Sequence, residues 1–384
     1  FMKFNKKKFS HYIIFIFSGI NYLIGLAFSL LFRKENNNIL LFGQKLIGNL
    51  EVIFKDKRLS NNKIYYITLD YQEYRNLKSI YGKKILSPFN IFNIIRGLNS
   101  KILVTSHGIF LHYFVKKIGI KTILSGHAIN GGIPKNNKKI VKYFERFHEV
   151  WLHSPYDKKI LCEEVFCNPN NLKVMGFVRN QILIENIEKK NKLKIENSIS
   201  DKKIILYAPT SHRGNNDYIN SEFSPFNLKF YEFVNKQLQD TDICLIIKTH
   251  YKDTVSSHIR DYINTNDNIF LNEELNLEND YDAMVMSDLL ITDISTVYVD
   301  YLLIENPIYL INNPDPDPEM KRSSILRNID LPMINTKEDI KDLIKKLRDD
   351  EIVNENIRIL KDKIFEDLNH SQIIEKINKI FLKS

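Results

Sequence analysis

Short apolar runs recur along most of this chain, each closed by a polar or glycine-bearing turn and followed by residues at helical spacing. Runs of this kind read as strands buried on both faces of a parallel sheet. Residues 39–42, 63–69, 84–86, 101–105, 122–124, 149–152 and 173–175 form one series. Residues 203–207, 243–248, 268–271, 289–291 and 308–311 form a second. Ser87-Pro88 predicts a helix start, with proline at the first helical position and helical spacing over 89–95. Thr336 with Asp339 is a cap signal, and Ile373, Ile377 and Ile380 stripe a last amphipathic helix. Strands alternating with helices in two series predict two doubly wound parallel-sheet domains. The stretch 186–200 between them is charged, rich in asparagine and without a strong apolar face, so it reads as a linker. The expected boundaries are 1–36, 37–185, 186–200, 201–335 and 336–384.

The amino terminus follows another pattern. Lys3, Lys6, Lys7 and Lys8 precede an uncharged run from His11 to Phe32, closed by Arg33 and Lys34. About 20 apolar residues suffice to span a bilayer, and this run has that length. Ser18, Gly19, Asn21, Gly25 and Ser29 dilute it, and basic residues stand at both ends, so the orientation rule is silent. The reading is a hydrophobic membrane-associating helix, either spanning the bilayer or lying in its surface.

Composition narrows the partners. The formal charge of +9 favours an anionic ligand or surface, yet the basic residues are scattered without a basic-aromatic platform, which argues against nucleic acid. Cys162, Cys167 and Cys244 lack metal-type spacing and read as reduced thiols. No Walker lysine motif or dinucleotide glycine fingerprint occurs.

Residues 289–311 form the clearest single unit: strand, polar turn, helix, strand. Asp293, Ser295 and Thr296 in its turn are helix-capping types, and a helix start at a strand's carboxyl end suits phosphate. The plain alternative is an ordinary capped turn. The strand at 122–124 leads into Gly126-His127 and a loop containing Gly131, Gly132 and Lys135. Glycines there allow backbone to approach an anion, and a histidine with a pKa near 6.5 suits general-base work. An isolated loop histidine is otherwise most simply bonded to backbone. Gly176 to Asn180, with Arg179, follows another strand; Thr210 with Arg213, and Lys248 to Tyr251 with His250, follow two more.

Together these elements resemble the CDP-glycerol glycerophosphotransferases that build wall teichoic acids and related capsule polymers. The loop from Gly126-His127 to Pro134-Lys135 is similar to that family's histidine-glycine-threonine-proline-leucine-lysine loop, although altered after the histidine. Gly176 to Asn180 resembles its Gly-x-Pro-Arg-Asn/Asp element, with Val178 replacing proline. Tyr207 to Thr210 plus Arg213 resembles Tyr-Ala-Pro-Thr-x-Arg with one extra residue, and Lys248 to Tyr251 resembles Arg-Met-His-Tyr. Thr292, Asp293, Ser295, Thr296 and Asp300 resemble its Thr-Asp-Tyr-Ser-Ser…Asp element, and residues 367–371 echo a late Asp-Gly-x-x-Ser pattern.

The resemblance implies a GT-B-like architecture, two such domains facing a cleft. It implies transfer of an alditol phosphate, glycerol phosphate first, from a CDP-alditol to a hydroxyl of an undecaprenyl-diphosphate-linked acceptor, with release of CMP. His127 is expected as the catalytic base on the acceptor hydroxyl and His250 as a second catalytic residue that neutralises the pyrophosphate. Arg213, Thr210, Asp293, Ser295, Thr296, Arg179 and Asp300 are expected at the donor phosphates or ribose, with Gly126, Gly131, Gly132 and Lys135 on the acceptor-side loop. Asp315 and Asp317 read as a solvated loop. No carboxylate cluster speaks for a required metal or other cofactor, leaving Mg²⁺ on the pyrophosphate open. The implied place is the cytoplasmic face of a bacterial membrane. Two rival readings stay open: a GT-B glycosyltransferase using a nucleotide sugar, and a non-catalytic membrane-bound assembly subunit.

Overall fold

The computed structural model describes residues 9–109, 112–126, 137–212, 214–250, 253–279, 281–293, 295–314, 331–352 and 355–383, without the side chains of 9–15, 355 and 383. The chain divides into two units. One comprises the residues up to Ile129, Lys135–Gln181 and Leu368–Ser384; the other is built mainly from Ile182–Asp367.

The strands of the first unit are β1 (Asn36–Phe42), β2 (Lys63–Ile67), β3 (Ile85–Leu86), β4 (Ser100–Thr105), β5 (Lys121–Leu124), β6 (Glu149–Leu152) and β7 (Leu172–Val174). They form a parallel sheet in the order β3-β2-β1-β4-β5-β6-β7, with Leu40 beside Leu103 and Leu41 beside Val104. Ile39, Leu41, Ile102 and Val104 are fully buried, as expected of strands covered on both faces. The chain steps outward from β1 to β3, returns to β4 beside β1, and steps outward again, so the topological switch point lies between β1 and β4.

The first helices are α1 (Phe9–Phe32), α2 (Asn49–Lys55), α3 (Tyr71–Tyr81), α4 (Ile91–Leu98) and α5 (His112–Lys117). The start expected at Ser87-Pro88 is displaced: the Ser87 hydroxyl takes the Phe89 N–H in a turn, and Asn90 caps α4 through the N–H groups of Phe92 and Asn93. Asparagine bonding two orphan amides makes the stronger cap.

Helix α1 corrects the expectation of a membrane span: among the described residues no helix is long and apolar enough to cross a membrane. Its small and polar residues are turned inward instead. Ser18 and Ser29 are buried, and a Cβ on Gly25 would lie 2.6 Å from Ile94 Cγ2. The Asn21 amide donates to the Phe89 carbonyl at 3.0 Å, and Arg33 donates to the carbonyls of Ile118 and Ser100 at 2.7 and 3.0 Å. Leu26 joins Ile94, Leu98, Leu103 and Val115 in a common core. The bulky residues Phe17, Ile20, Ile24, Phe28 and Leu31 point outward at helical spacing, with Phe17 61% and Leu31 75% exposed. The polarity of this helix is inverted relative to an ordinary surface helix.

In the second unit, β8 (Lys203–Tyr207), β9 (Ile243–Ile247), β10 (Ile269–Leu271), β11 (Leu289–Thr292), β12 (Ile308–Ile311) and β13 (Met333–Ile334) form a parallel sheet in the order β10-β9-β8-β11-β12-β13. Its switch point lies between β8 and β11, where Leu290 pairs with Leu206. The core packs Phe230, Val234, Ile259 and Leu343 against Ile205, Leu245 and Ile291. The stretch 186–200 contains the helix Lys190–Glu196, tied to this unit where Lys190 bonds Asp288 at 2.6 Å. Thr336 and Asp339 form a full capping box on the helix Lys337–Arg348. Helix Ile373–Lys383 belongs to the first unit.

Candidate active site

In the second unit, loops leave the carboxyl ends of the neighbouring strands β9, β8 and β11, over the switch point. Asp293, directly after β11, is 5% exposed, and its carboxylate holds two of these loops together. One oxygen accepts the N–H groups of Thr210 and Ser295 at 2.9 and 3.1 Å. The other accepts the Tyr218 hydroxyl at 2.6 Å, and that hydroxyl also lies 3.2 Å from the Thr210 carbonyl. Burial pushes the Asp293 carboxyl above its usual range, while the bonds from Tyr218, Thr210 and Ser295 pull it back. A carboxylate engaged in this way holds backbone donors in place and does not itself attract a phosphate.

Ser295 and Thr296 are half-buried at the start of the helix Val297–Tyr301. Thr296 occupies the cap position without a side-chain cap bond, and Ser295 Oγ approaches the Val297 N–H only at 3.5 Å. Five residues carry little dipole, so what this turn offers is individual hydroxyls and N–H groups. Asp300 is buried in the same helix. His250 follows β9, half-buried, and its carbonyl accepts the Asp253 N–H at 2.8 Å. Asp253 stands between this turn and the loop after β8.

In the first unit a second polar cluster gathers at the carboxyl ends of β1, β5 and β7. Asn49, 2% exposed at the start of α2, donates its amide to the carbonyls of Ser125 and Gly126, both at 3.2 Å. Its oxygen accepts the Arg179 N–H at 3.4 Å. Gly126 has φ +62, and a Cβ there would lie 3.1 Å from the Phe177 ring, so both conformation and space demand glycine. The Arg179 guanidinium lies 4.4 Å from the Phe177 ring centroid, and Arg179 is only 6% exposed, which removes a surface ion pair as its role. Asn180, fully buried, pairs with His153 Nε2 at 3.0 Å, and His153 packs edge-on against Phe177.

His127, Gly131, Gly132 and Lys135 lie outside the described residues, as do Arg213, Tyr251, Asp315 and Asp317. Within the second unit Thr210, Asp293 and Ser295 come together directly; within the first, Gly126 and Arg179 meet through Asn49. Sequence reasoning missed Asn49, Tyr218 and Asp253. Asn49 carried a signal, since it is a helix-capping type just after Gly48, where a strand loop turns into a helix. Tyr218 and Asp253 carried none that is local. Among the described residues no group of three His, Cys, Asp or Glu side chains is arranged to hold a metal.

Two doubly wound units with buried polar clusters at their strand carboxyl ends define an α/β protein of the ligand-binding, parallel-sheet class. The chain belongs to the CDP-Glycerol:Poly(glycerophosphate) glycerophosphotransferase family, which it matches over residues 32–377. It is 29% identical over 247 residues to the teichoic acid glycerol-phosphate primase of Bacillus subtilis strain 168, covering 58% of this chain and 60% of that protein. The chain spans between 24% and 60% of the length of the teichoic acid relatives it matches. In structure it is similar to a variant of the wall teichoic acid polymerase TagF, with TM-score 0.72, 16% identity and 98% of each chain covered. The same variant soaked with CDPG gives TM-score 0.70 at 16% identity, again over 98% of each chain. These structural likenesses establish the fold.

Proposed function

We propose that this chain transfers an alditol phosphate, glycerol phosphate in the first place, from a CDP-alditol to a hydroxyl of a lipid-linked acceptor in cell-wall or capsule polymer synthesis. The observation that carries the reading is the set of neighbouring loops around Thr210, His250 and Ser295, held by buried carboxylates over a sheet switch point. Such a set can present hydroxyls and an imidazole to a pyrophosphate. Family membership supports CDP-glycerol as the donor. In keeping with a GT-B architecture, the reading puts the donor on the second unit and the acceptor on the first.

In the proposed step the acceptor oxygen attacks the phosphorus that bears the alditol. A new O–P bond forms, the bond from that phosphorus to the bridging oxygen breaks, and CMP leaves with the electron pair. His127 takes the acceptor proton. His250, Arg213 and the hydroxyls of Thr210, Ser295 and Thr296 neutralise charge on the phosphates, since phosphoryl transfer depends on positioning and electrostatics more than on covalent help. Asp300 reaches the ribose. Lys135, with Gly131 and Gly132, lines the acceptor loop.

The inverted helix α1 supports a peripheral place on the cytoplasmic face of the membrane. Its exposed apolar face lies between Lys3, Lys6, Lys7 and Lys8 in the preceding sequence and the exposed Lys34 behind it, Arg33 being turned inward. Anionic lipid matches both basic ends, whereas a second copy would set like charges together in either direction.

The deciding assay measures CMP release by the purified chain from CDP-glycerol, CDP-ribitol and several UDP-sugars, with an EDTA arm to read any need for Mg²⁺. Turnover of a CDP-alditol alone is expected. UDP-sugar turnover would favour the glycosyltransferase reading, and no turnover of any donor the assembly-subunit reading.

A further inference from the structure

We propose that Asp253 is a positioning residue for the donor phosphates: its carboxylate joins the loop after β8, which leads into Arg213, to the turn after β9, which carries His250. The inference rests on the donor reading above, but its structural part stands on geometry within one unit.

The Asp253 side chain is 4% exposed. Its Oδ1 accepts the Ser211 hydroxyl at 3.1 Å, and its Oδ2 accepts the His212 N–H at 3.2 Å. Its own N–H donates to the His250 carbonyl at 2.8 Å. One residue therefore fixes both loops, through its side chain on one and its backbone on the other. A buried carboxylate is costly unless its oxygens are engaged, and here they are engaged by a neighbouring loop, so the two loops cannot shift separately without exposing that cost.

His212 extends the coupling. Its Nδ1 accepts the Gly214 N–H at 2.8 Å, which assigns the ring hydrogen to Nε2, and Nε2 faces Asp253 Oδ1 at 3.3 Å. The ring is steadied edge-on by Phe226, with centroids 4.8 Å apart. The residues on either side of position 213 are thus both held by the imidazole and Asp253. Relative to the family's Tyr-Ala-Pro-Thr-x-Arg element this loop has one residue more. The bonds of Asp253 and His212 hold His212 and Gly214, on either side of position 213, relative to the His250 turn. Two phosphate-contacting residues on neighbouring strands need such a fixed spacing, because misplacement of charge in a transferring site is expensive in rate.

The test uses Asp253→Asn, which keeps volume but sets an amide donor against donors, and His212→Phe, which keeps the ring against Phe226 but removes both nitrogens. With CDP as the titrant, each variant should bind about tenfold more weakly than the parent, the loss expected for one charge-assisted hydrogen bond. The double variant should be no weaker than either single one, since the two residues act as a unit. In turnover the KM for CDP-glycerol should rise while that for the acceptor stays level. Amide exchange at His212, Gly214 and Asp253 should lose protection together in Asp253→Asn. Unchanged CDP affinity, strictly additive losses, or affinity that falls only in step with melting temperature would overturn the proposal. A parent that binds CDP but releases no CMP from any CDP-alditol would refute the transfer reading, with the titration still judging Asp253. A parent that binds no CDP would overturn both.

Discussion

Tyr218 donates its hydroxyl to Asp293 at 2.6 Å, although the two lie 75 positions apart in the chain. Both are buried, and burial raises the pKa of each. Tyr218→Phe should therefore destabilise the second unit by about 1.5–3 kcal/mol, the range for a hydrogen bond to a charged group. Asp293 also predicts a pH dependence. Its folded pKa is above the ordinary 3.8, so its contribution to stability is fully present below 3.8 and is lost as pH rises through the folded value. Chemical denaturation across that window should show the parent losing stability relative to Asp293→Asn as pH climbs. Parallel pH profiles would refute this account.

Asn49 predicts a kinetic effect in the first unit. Asn49→Ala removes the donors to Ser125 and Gly126, the two residues that lead into His127. Turnover should fall about tenfold or more from the loss of positioning, with a stability cost of about 1–3 kcal/mol for the buried carbonyls left behind. His127→Ala should abolish transfer and leave the melting temperature unchanged. Full activity in either folded variant would remove the base assignment or its support.

The two faces of α1 should respond oppositely to substitution. Ile24→Glu with Phe28→Glu, on the exposed face, should leave the melting temperature nearly unchanged and abolish sedimentation with anionic vesicles. Gly25→Leu, pressed against Ile94, should lower the melting temperature and spare vesicle binding in the protein that remains folded. Vesicle binding that survives the double glutamate variant would exclude this face as the contact, and a parent dimer that it dissolves would point to a second copy instead.

His112 predicts acid sensitivity of the first unit. Its Nε2 lies 3.1 Å from Thr122 Oγ1, and Thr122 also bonds His148 Nδ1. Burial first, then Lys116, Arg146 and His148, lower its pKa to about 4. A depressed base leaves stability intact above the unfolded pKa of 6.5 and removes it as pH falls from there toward about 4. Melting curves between those limits should be flatter for His112→Gln than for the parent. His148, depressed by the same kind of burial, would account for the slope that persists.

Almost every strand was legible in the sequence because parallel strands covered on both faces leave uninterrupted apolar runs. The exception is β13, two residues long and without such a run. The start of α4 was misplaced because Ser87-Pro88 and Asn90 offer competing local signals and only the bonds made decide between them. Membrane span and docked helix look alike as a string, since length and hydropathy say nothing about which face is turned inward. The candidate site was legible at residues that sit on motifs, such as Thr210, His250 and Ser295. Asp293 was legible as a motif residue, but its partner was not, because Asp293 finds Tyr218, and Asn49 finds Ser125, across 75 and 76 positions.

The return of the last helix to the first unit bears on how the chain is made. Gln181 donates to the Ser371 carbonyl at 2.7 Å and accepts the Ile374 N–H at 2.8 Å, while Ile373 fills the space above Gly176. Residues up to 181 therefore cannot complete their unit until 368–383, which are synthesised after the main body of the second unit, have joined them. A product stalled or clipped before residue 368 would leave Gly176 and Gln181 without these partners, on an unfinished surface beside Phe177 and the Gly126 turn.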